Sequence, residues 1–546
     1  MSPQGKEVSP RGKFGAAITG KTGSEDGPEP KEPAVTTSAT TAAARPGDNG
    51  VEHLDVLIVG AGLSGVGAAW RLRREHPGRT IAILEARDAI GGTWDLFRYP
   101  GVRSDSDMFT LSYPFRPWRG EHSIATGESI RDYIRDTAAE TGIERLIRFR
   151  TRVVGASWSS ADARWTVRTE VAEADGTTSS RTCTCSFLFL CTGYYSYDHG
   201  HQPEFPGRDD FAGRFVHPQF WPVDLDHSGK RVVVIGSGAT AVTLVPAMAE
   251  TAAHVTMLQR SPSYVAALPG VDKLADLARR RLPADLAHRL VRAKNVLFSQ
   301  AFYQLARRRP TQVRKALRDL ALRFLDPTAV DEHFTPAYDP WDQRLCLAPD
   351  GDFYRAIADA KATVVTERID RFVESGIRLA SGKVLEADII VSATGLDMLA
   401  FGGVELTVDG RHVDPGATVA YRGLMLGDVP NLAFSIGYVN ASWTLRSDLA
   451  ARYVCRLLGH MDRRGWAVAT PTPKDVGRQR PLLDLTSGYA LRGAGRFPKQ
   501  GERGPWTVRS NYPAELLSLP RADLRRDMTF APRATARRAQ PAEVTA

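Results

Sequence analysis

Residues 55–65 read Asp-Val-Leu-Ile-Val-Gly-Ala-Gly-Leu-Ser-Gly and decide the fold. The apolar run predicts a buried parallel strand, and Gly60, Gly62 and Gly65 have the G-x-G-x-x-G spacing that opens a helix. A second apolar run ends at Glu85, which can accept hydrogen bonds from a ribose diol. Glycines in this turn let a pyrophosphate approach the backbone and the helix N-terminus. The stretch therefore predicts a dinucleotide site, and the alternative is a glycine turn in another α/β domain.

Residues 231–241 repeat the pattern as Arg-Val-Val-Val-Ile-Gly-Ser-Gly-Ala-Thr-Ala. The turn residues are Gly236, Gly238 and Ala241, in the G-x-G-x-x-A variant of the same turn. The next predicted strand is followed by Arg260 and Ser261, whereas the corresponding strand of the first fold ends in an acid, Glu85. A guanidinium attracts a 2′-phosphate that a carboxylate would repel, so this site is predicted to take NADPH. The alternative for Arg260 is a surface salt bridge.

Two dinucleotide folds in one chain predict hydride transfer between two cofactors, FAD in the first fold and NADPH in the second. Two more apolar runs, residues 188–193 and 389–395, both end in Thr-Gly. Such strand ends are expected to bring backbone close to a cofactor. Read alone, each is also compatible with an ordinary strand terminus.

The cysteine pattern excludes several other classes of protein. There are five cysteines, an odd and sparse set that is not typical of a disulfide framework. Cys183 and Cys185 are two positions apart and far from both glycine turns, which argues against a disulfide reductase, and no zinc-ligand spacing follows them. We therefore predict no metal site and a cytoplasmic location, and no apolar run is long enough for a membrane-spanning helix.

The net charge of +9 is concentrated in one segment. Residues 273–325 contain 14 Lys or Arg and 3 Asp or Glu, with apolar residues at helical spacing. The plain interpretation is a solvated helical face. The alternative is a peripheral contact with anionic lipid. No nucleic-acid-binding motif accompanies the charge, so nucleic acid is not expected as a partner.

Between the two glycine turns, residues 211–222 read Phe-Ala-Gly-Arg-Phe-Val-His-Pro-Gln-Phe-Trp-Pro. The fixed positions of this F-x-G-x-x-x-H-x-x-x-W-P pattern are Phe211, Gly213, His217, Trp221 and Pro222. The pattern resembles the fingerprint of Baeyer–Villiger monooxygenases, whereas related N-hydroxylating and flavin-containing monooxygenases usually lack the Trp-Pro pair. Further similar stretches are residues 91–94, 98–105, 341–347 and 440–445. Together they resemble the actinobacterial ethionamide-activating subgroup, from about Leu54 to Tyr512.

The resemblance implies roles for several residues. Trp94, which follows Gly92 and Thr93, is expected beside the flavin ring, and the alternative is a core aromatic. Arg344 is expected over the flavin, with Asp105 orienting it; the alternatives are a structural ion pair for Arg344 and a helix cap for Asp105.

Of the fingerprint residues, the resemblance gives His217 a conformational role on the linker between the cofactor modules, with Trp221 anchoring the same segment. A direct acid or base role is the alternative for His217.

The resemblance implies a monooxygenase that uses NADPH and O2 and forms a flavin C4a-peroxide, which attacks a ketone to give an ester or lactone. Arg344 would stabilise the anionic oxygen in this reaction. The first alternative is S- or N-oxygenation of sulfides or thioamides, and a remote one is a non-oxygenating flavoprotein that binds a partner or membrane. Many relatives have a lysine where this chain has Gln343, which predicts a weaker preference for NADPH.

The expected architecture is α/β, with two Rossmann-like dinucleotide-binding domains. The FAD domain is discontinuous, over residues 53–200 and 387–528. The NADPH domain is inserted as residues 201–386 and includes a helical insertion at about 270–340. Residues 1–52 are predicted to be a disordered leader and residues 529–546 a flexible tail, because both are poor in apolar residues.

Overall fold

The computed structural model of the chain describes residues 45–46, 50–343, 345–483 and 485–532. The predicted leader and tail lie mostly outside the described residues. At both borders the prediction needs correction. Glu52 already belongs to a strand, with Arg45–Pro46 paired alongside it, and the strand Met528–Ala531 extends into the predicted tail, which was expected to begin at residue 529. Composition does not reveal these strands because their backbone partners lie elsewhere in the fold.

Three successive parts of the chain provide the strands and helices. The first contains β1 (Arg45–Pro46), β2 (Glu52–Val59), α1 (Leu63–Glu75), β3 (Ile81–Leu84), α2 (Thr93–Leu96), α3 (Met108–Leu111), α4 (Gly127–Glu140), β4 (Ile147–Arg148), β5 (Thr151–Ser159), β6 (Arg164–Ala172), β7 (Thr178–Leu190) and β8 (Tyr195–Gly200). The second contains β9 (Arg214–Val216), β10 (Arg231–Ile235), α5 (Ala239–Met248), β11 (His254–Gln259), β12 (Val265–Leu268), α6 (Lys273–Arg281), α7 (Ala284–Arg308), α8 (Pro310–Ala321), α9 (Pro327–His333), β13 (Cys346–Pro349), α10 (Asp352–Ala358), β14 (Ala362–Thr366), β15 (Ile369–Val373), β16 (Gly376–Leu379), β17 (Val384–Glu386) and β18 (Ile389–Ser392). The third contains β19 (Leu396–Met398), β20 (Glu405–Val408), β21 (Arg411–Val413), β22 (Ala420–Tyr421), β23 (Met425–Leu426), β24 (Leu432–Phe434), α11 (Trp443–Arg464), β25 (Val468–Pro471), β26 (Arg480–Pro481), α12 (Gly488–Gly493), β27 (Lys499–Gln500), α13 (Tyr512–Ser518) and β28 (Met528–Ala531).

The first dinucleotide-binding unit is built on β2, α1 and β3, as the sequence predicts. Strand β2 pairs in parallel with β3 on one side and with β7 on the other, and β24 adds a parallel strand to β7 from the last part of the chain. Apolar residues of β2 are fully buried because both faces of the sheet are covered. The unit is therefore discontinuous in sequence, as expected.

The second unit is a five-stranded parallel sheet in the order β14-β11-β10-β18-β9. This order corrects one predicted boundary. Residues 387–392 were expected in the FAD domain, but β18 pairs in parallel with β10 and with β9. An apolar strand buried on both faces fits either parallel sheet, so its composition could not assign it to one of them.

Two connections join the units, and they pair with each other. Strand β8 leaves the first unit and β19 returns to it, and the two form an antiparallel pair in which Gly200 opposes Leu396. The helical insertion, α6 to α9, lies between β12 and β13, within the predicted residues 270–340. No helix in the described part of the chain combines the length and the apolarity needed to cross a membrane.

Candidate active site

The first glycine turn lies against the end of a neighbouring strand. Gly60 has φ +102°, and a Cβ there would lie 2.7 Å from the carbonyl oxygen of Cys191, the residue that follows β7. A Cβ on Gly65 would lie 1.8 Å from the carbonyl oxygen of Gly60, so helix and turn are as close as the sequence predicts. The strand ending in Cys191-Thr-Gly thus lies at the turn, and Gly60 and Gly65 are fixed by close backbone contact.

A second loop, at residues 91–94, meets this turn. The N–H of Gly91 donates to the carbonyl oxygen of Ala61 at 3.2 Å, and a Cβ on Gly92 would lie 3.2 Å from Cα of Gly62. The two turns contact each other through backbone atoms alone. No side chain therefore separates them from a pyrophosphate, which binds to backbone N–H groups.

The rest of this loop begins α2. The hydroxyl groups of Thr93 and Tyr197 are 3.3 Å apart, and burial raises the pKa of Tyr197 to about 12. Trp94 is half-buried and packs against the first unit's core, so its expected place beside a flavin and its alternative as a core aromatic are both compatible with its surroundings.

Glu85 lies buried at the end of β3. Its two carboxylate oxygens accept hydrogen bonds from the N–H groups of Ala61 at 2.7 Å and Arg87 at 2.9 Å. Burial raises the pKa of Glu85, although these two N–H groups act in the opposite direction. The carboxylate is thereby held at the glycine turn, where its remaining lone pairs can accept from a ribose.

Sequence reasoning missed a charged cluster around Asp95. This carboxylate is 1% exposed and accepts from three guanidinium groups, of Arg87 at 2.6 Å, Arg98 at 2.9 Å and Arg135 at 2.9 Å. These ion pairs hold α2, and with it Trp94, in place within the first unit. The proximity of Asp95 to the glycine loop was the only signal in the sequence, since its three partners converge only in the fold.

The second glycine turn repeats the geometry of the first. Gly236 has φ +127°, and a Cβ there would lie 2.3 Å from the carbonyl oxygen of Ala393, directly after β18. A Cβ on Gly238 would meet nothing within 4 Å, while Ala241 is buried in α5. The turn is therefore closed on the strand side and open at Gly238, where a nucleotide would approach.

Arg260 and Ser261 follow β11 beside this turn. Both are exposed, and within the described ranges Arg260 forms no ion pair, so its alternative as a surface salt bridge has no support there. The loop is tied to the glycine turn through the hydroxyl groups of Ser237 and Ser263, which are 2.7 Å apart. Gln343 is half-buried, in a bridge with Pro340.

The fingerprint begins with a packing contact. The ring of Phe211 covers Gly213, where a Cβ would lie 2.3 Å from Cζ of the phenyl ring. The same Cβ would lie 2.6 Å from the carbonyl oxygen of Asp388, just before β18. Position 211 therefore needs a large side chain and position 213 needs glycine, so that β9 can pack against the second sheet.

His217 lies in the second unit, between β9 and β10, and contacts the connection between the units. Its Nδ1 accepts from the N–H of Gln219 at 3.2 Å, and its ring packs on Gly200 at the end of β8. Burial lowers the pKa of His217, although backbone groups of Gly395 and His201 act in the opposite direction. Trp221 is half-buried against the core of the second unit. Both residues therefore belong to the second unit and not to the linker on which they were expected, because the chain has already joined the second sheet at β9. The conformational role expected for His217 stays a prediction.

Asp105 lies on the loop between α2 and α3, which contacts the second unit. In this loop a Cβ on Gly101 would lie 2.4 Å from the carbonyl oxygen of Thr243 in α5, and Arg103 forms an ion pair with Asp352. Asp105 itself is exposed, and the helix cap is Asp107, which accepts from the N–H of Thr110 at 2.9 Å. The alternative of Asp105 as a cap is therefore wrong.

Arg344, the expected catalytic partner of Asp105, lies outside the described residues. The residues that flank it are placed, with Gln343 in a bridge and Leu345 buried just before β13. The interaction of Asp105 with Arg344 stays a prediction.

The residues present fit two dinucleotides. In both glycine turns, close backbone contacts leave no room for a side chain at the first glycine, Gly60 or Gly236. Each turn lies against the end of a strand that is followed by Thr-Gly. All five cysteines are free and buried. Nowhere in the described residues do three or more His, Cys, Asp or Glu side chains form a group that could hold a metal ion.

Comparisons with known proteins agree with this geometry. Residues 55–270 match the flavin-binding monooxygenase-like family, and residues 223–321 match an NAD(P)-binding family. The chain is 52% identical to the FAD-containing monooxygenase EthA of Mycobacterium tuberculosis, over 84% of this chain and 94% of that protein. It is also 52% identical to EthA of Mycolicibacterium smegmatis, over 84% of this chain and 93% of that protein.

Solved structures show the same fold. An oxidized steroid monooxygenase bound to NADP superposes with a TM-score of 0.64 at 28% identity, over 77% of this chain and 88% of that one. Cyclohexanone monooxygenase in an open form gives a TM-score of 0.62 at 20% identity, over 77% and 90% of the two chains. The predicted fold and the predicted cofactors, FAD and NADPH, are confirmed. The chain belongs to the flavin-binding, FAD-containing monooxygenase family.

Proposed function

We propose that this monooxygenase inserts one oxygen atom next to a ketone carbonyl and so forms an ester or lactone. One atom of O2 enters the product, the other leaves as water, and NADPH is oxidised. The observation that carries the proposal is the complete fingerprint from Phe211 to Pro222, including Trp221, which lies in the second unit and contacts the connection to the first through His217 and Gly200. The likeness to a steroid monooxygenase at 28% identity supports it.

Each unit contributes one cofactor site. Gly60, Gly62 and Gly65 with Glu85 would hold FAD, and α2 would place Trp94 beside it. When bound and reduced, FAD supplies the activated oxygen. The residues that would hold NADPH in the second unit are Gly236, Gly238, Ala241, Arg260 and Ser261.

Arg344 and Asp105 are the proposed catalytic pair. A fixed guanidinium at Arg344 stabilises the negative charge that develops on oxygen as the ketone reacts. Asp105 orients the guanidinium and balances its charge. Asp105 lies on the loop that contacts α5 through Gly101, so the position of this pair depends on how the two units sit together.

The second candidate is oxygenation at sulfur, of a sulfide or thioamide. It is favoured by the resemblance to the ethionamide-activating subgroup and by the 52% identity to EthA over 84% of the chain. This reaction needs the same cofactor sites. It differs in that no negative oxygen develops on the substrate, so it depends less on Arg344.

The deciding experiment gives the purified, FAD-bound protein NADPH and labelled O2 with a panel of ketones and sulfides. We expect esters or lactones that contain one labelled oxygen atom. Arg344→Ala is expected to keep FAD and to yield no ester, whereas Arg344→Lys should retain part of the activity. Sulfoxide as the only product would favour the second candidate. Full ester yield from Arg344→Ala would contradict the catalytic role, and a protein without FAD would overturn both candidates.

A further inference from the structure

Large apolar side chains are exposed on the helical insertion. Of the thirteen large hydrophobic side chains exposed by more than a third among the described residues, seven lie between residues 274 and 305. They are Leu274, Leu277, Leu286, Leu290, Leu297, Phe298 and Leu305. Single exposed apolar residues are ordinary, but a concentration of this kind marks a surface that contacts something.

On α7 three of these residues share one side of the helix. Leu286, Leu290 and Leu297 are separated by four and seven positions, and the exposed Ala293 and Ala301 continue the same stripe. We call this stripe, together with the exposed Phe298 and Leu305 beside it and with Leu274 and Leu277 of α6, the α6–α7 face.

The opposite side of α7 is anchored to the first unit. Arg292 donates to the carbonyl oxygens of Phe109 and Ser112 at 2.8 and 2.9 Å. Asn295 donates to Asp107 at 2.9 Å. Arg279 of α6 donates to the carbonyl oxygen of Gly120 at 3.0 Å. Because these bonds fix the rotation of both helices, the α6–α7 face is held outward.

Cations surround this face. Six exposed basic residues of α6 and α7, including the residue after α7, form no ion pair within the described part of the chain: Lys273, Arg280, Arg281, Arg289, Arg308 and Arg309. Arg289 directly precedes Leu290, and Arg308 and Arg309 lie at the C-terminal end of the stripe. Apolar side chains with a margin of unpaired cations are complementary to a bilayer interface that contains anionic lipid.

We propose that the α6–α7 face docks the enzyme peripherally on a membrane surface that contains anionic lipid. The apolar stripe enters the boundary between headgroups and acyl chains, and the cations contact lipid phosphates. A second copy of the chain fits this face less well, because symmetric contact would bring two sets of unpaired cations together. The proposal goes beyond the oxygenation reaction and does not depend on its substrate.

The test uses the full-length, FAD-bound protein and vesicles in a co-sedimentation assay. One vesicle is phosphatidylcholine alone, and the other contains about a quarter phosphatidylglycerol, a level at which lipid charge attracts basic segments. We expect binding to the anionic vesicle that weakens at high salt, and little binding to the neutral one.

Two pairs of variants separate the apolar and charged contributions. Leu297→Asp with Phe298→Asp should lower the partition coefficient about tenfold or more, because two anchoring side chains are replaced by anions. Its matched control, Leu491→Asp with Leu517→Asp, changes side chains of similar exposure (60% and 62%) outside the face. Arg280→Gln with Arg281→Gln should lower binding to anionic vesicles about tenfold, and Arg463→Gln with Arg464→Gln on α11 should not.

Bound FAD and the oligomeric state are measured for every variant. The proposal is overturned if the unaltered protein binds neither vesicle, or if Leu297→Asp with Phe298→Asp binds as well as its control. It is also overturned if the protein self-associates without lipid and that association is lost in the same variant, because the occupant of the face would then be a second copy.

Discussion

The imidazole of His217 packs directly on Gly200, so that a Cβ on Gly200 would lie 2.1 Å from Cε1 of the ring. Gly200 ends β8, which pairs with β19, the strand that returns to the first unit. The fingerprint histidine therefore contacts the outgoing connection at Gly200, the residue that pairs with Leu396 of the returning connection. This contact gives a physical reason for a small residue at position 200.

Gly200→Ala should displace His217 without removing any proposed catalytic group. Overpacking a fixed site of this kind costs about 1–3 kcal/mol or shifts the ring and backbone. We expect FAD to stay bound and the rate of flavin reduction by NADPH to fall about tenfold, because relative placement of the units changes. Stopped-flow absorbance measures that rate.

The control for this variant is Gly78→Ala, at an exposed glycine where a Cβ would meet nothing within 4 Å. Equal reduction rates in the two variants would show that the contact between His217 and Gly200 has no conformational role.

Local sequence patterns predicted the two nucleotide turns well. The strand, turn and helix around Gly60 and around Gly236 are contiguous in sequence, so spacing alone places them. The same reasoning could not assign β18 to a sheet, because its apolar residues would be buried equally in either one.

Contacts between distant residues were not predictable. The cluster of Asp95 with Arg135 joins positions 40 residues apart, and no periodicity relates them. The cover of Gly213 by Phe211 and the contact of His217 with Gly200 explain the spacing of the fingerprint only once the strands are placed.

The two glycines of the second turn should respond differently to alanine. Gly236→Ala combines φ +127° with a Cβ 2.3 Å from the carbonyl oxygen of Ala393, so it should destabilise the fold by about 2 kcal/mol or more. Gly238→Ala has open space and should fold normally, but its methyl group would occupy the nucleotide's approach and raise the dissociation constant for NADP⁺ about tenfold or more.

Thermal unfolding and NADP⁺ titration distinguish the two outcomes. If a stable Gly238→Ala variant bound NADP⁺ with unaltered affinity, the nucleotide would not bind at this glycine turn.

Arg260→Ala should weaken the preference for NADPH over NADH. A charge-assisted hydrogen bond to phosphate contributes about 1.5–3 kcal/mol, which corresponds to about a tenfold to hundredfold rise in KM for NADPH. The KM for NADH should not change, because NADH has no 2′-phosphate. Arg260→Lys, which keeps the charge, is the matched control, and Gln343→Lys should strengthen the preference. Steady-state kinetics with both nucleotides provides the comparison; an equal loss for NADH would rule out phosphate recognition.

Asp95→Asn should destabilise the first unit. The substitution leaves the guanidinium groups of Arg87, Arg98 and Arg135 together without their shared carboxylate. Breaking a buried pair costs about 3–5 kcal/mol, and solvent access to the arginines reduces the expected loss to about 2–3 kcal/mol.

Denaturant unfolding and retention of FAD on gel filtration report the effect of Asp95→Asn. Asp475→Asn is the control, since Asp475 and Arg503 form an exposed pair that should contribute little to stability. A loss for Asp95→Asn no larger than that of the control would show that the cluster does not hold α2 in place.

His288 should make the fold sensitive to acid. This histidine is 9% exposed on α7, and neither ring nitrogen has a hydrogen-bond partner among the described residues. Burial, and then the nearby charge of Arg292, lowers the pKa of His288 to about 4. A lowered pKa means that stability from the neutral ring is fully present above pH ~6.5 and is lost as pH falls toward about 4. After allowance for solvent screening, we expect a loss of about 2 kcal/mol across this window.

His288→Leu removes the titrating group and keeps an apolar side chain in the same position. The free energy of unfolding of this variant should therefore fall less steeply than that of the unaltered protein between pH ~6.5 and ~4. His412→Leu, at an exposed position, should keep the full slope. Denaturant unfolding at several pH values measures all three proteins. Parallel curves for the unaltered protein and His288→Leu would mean that proton uptake by His288 does not destabilise the anchored side of α7.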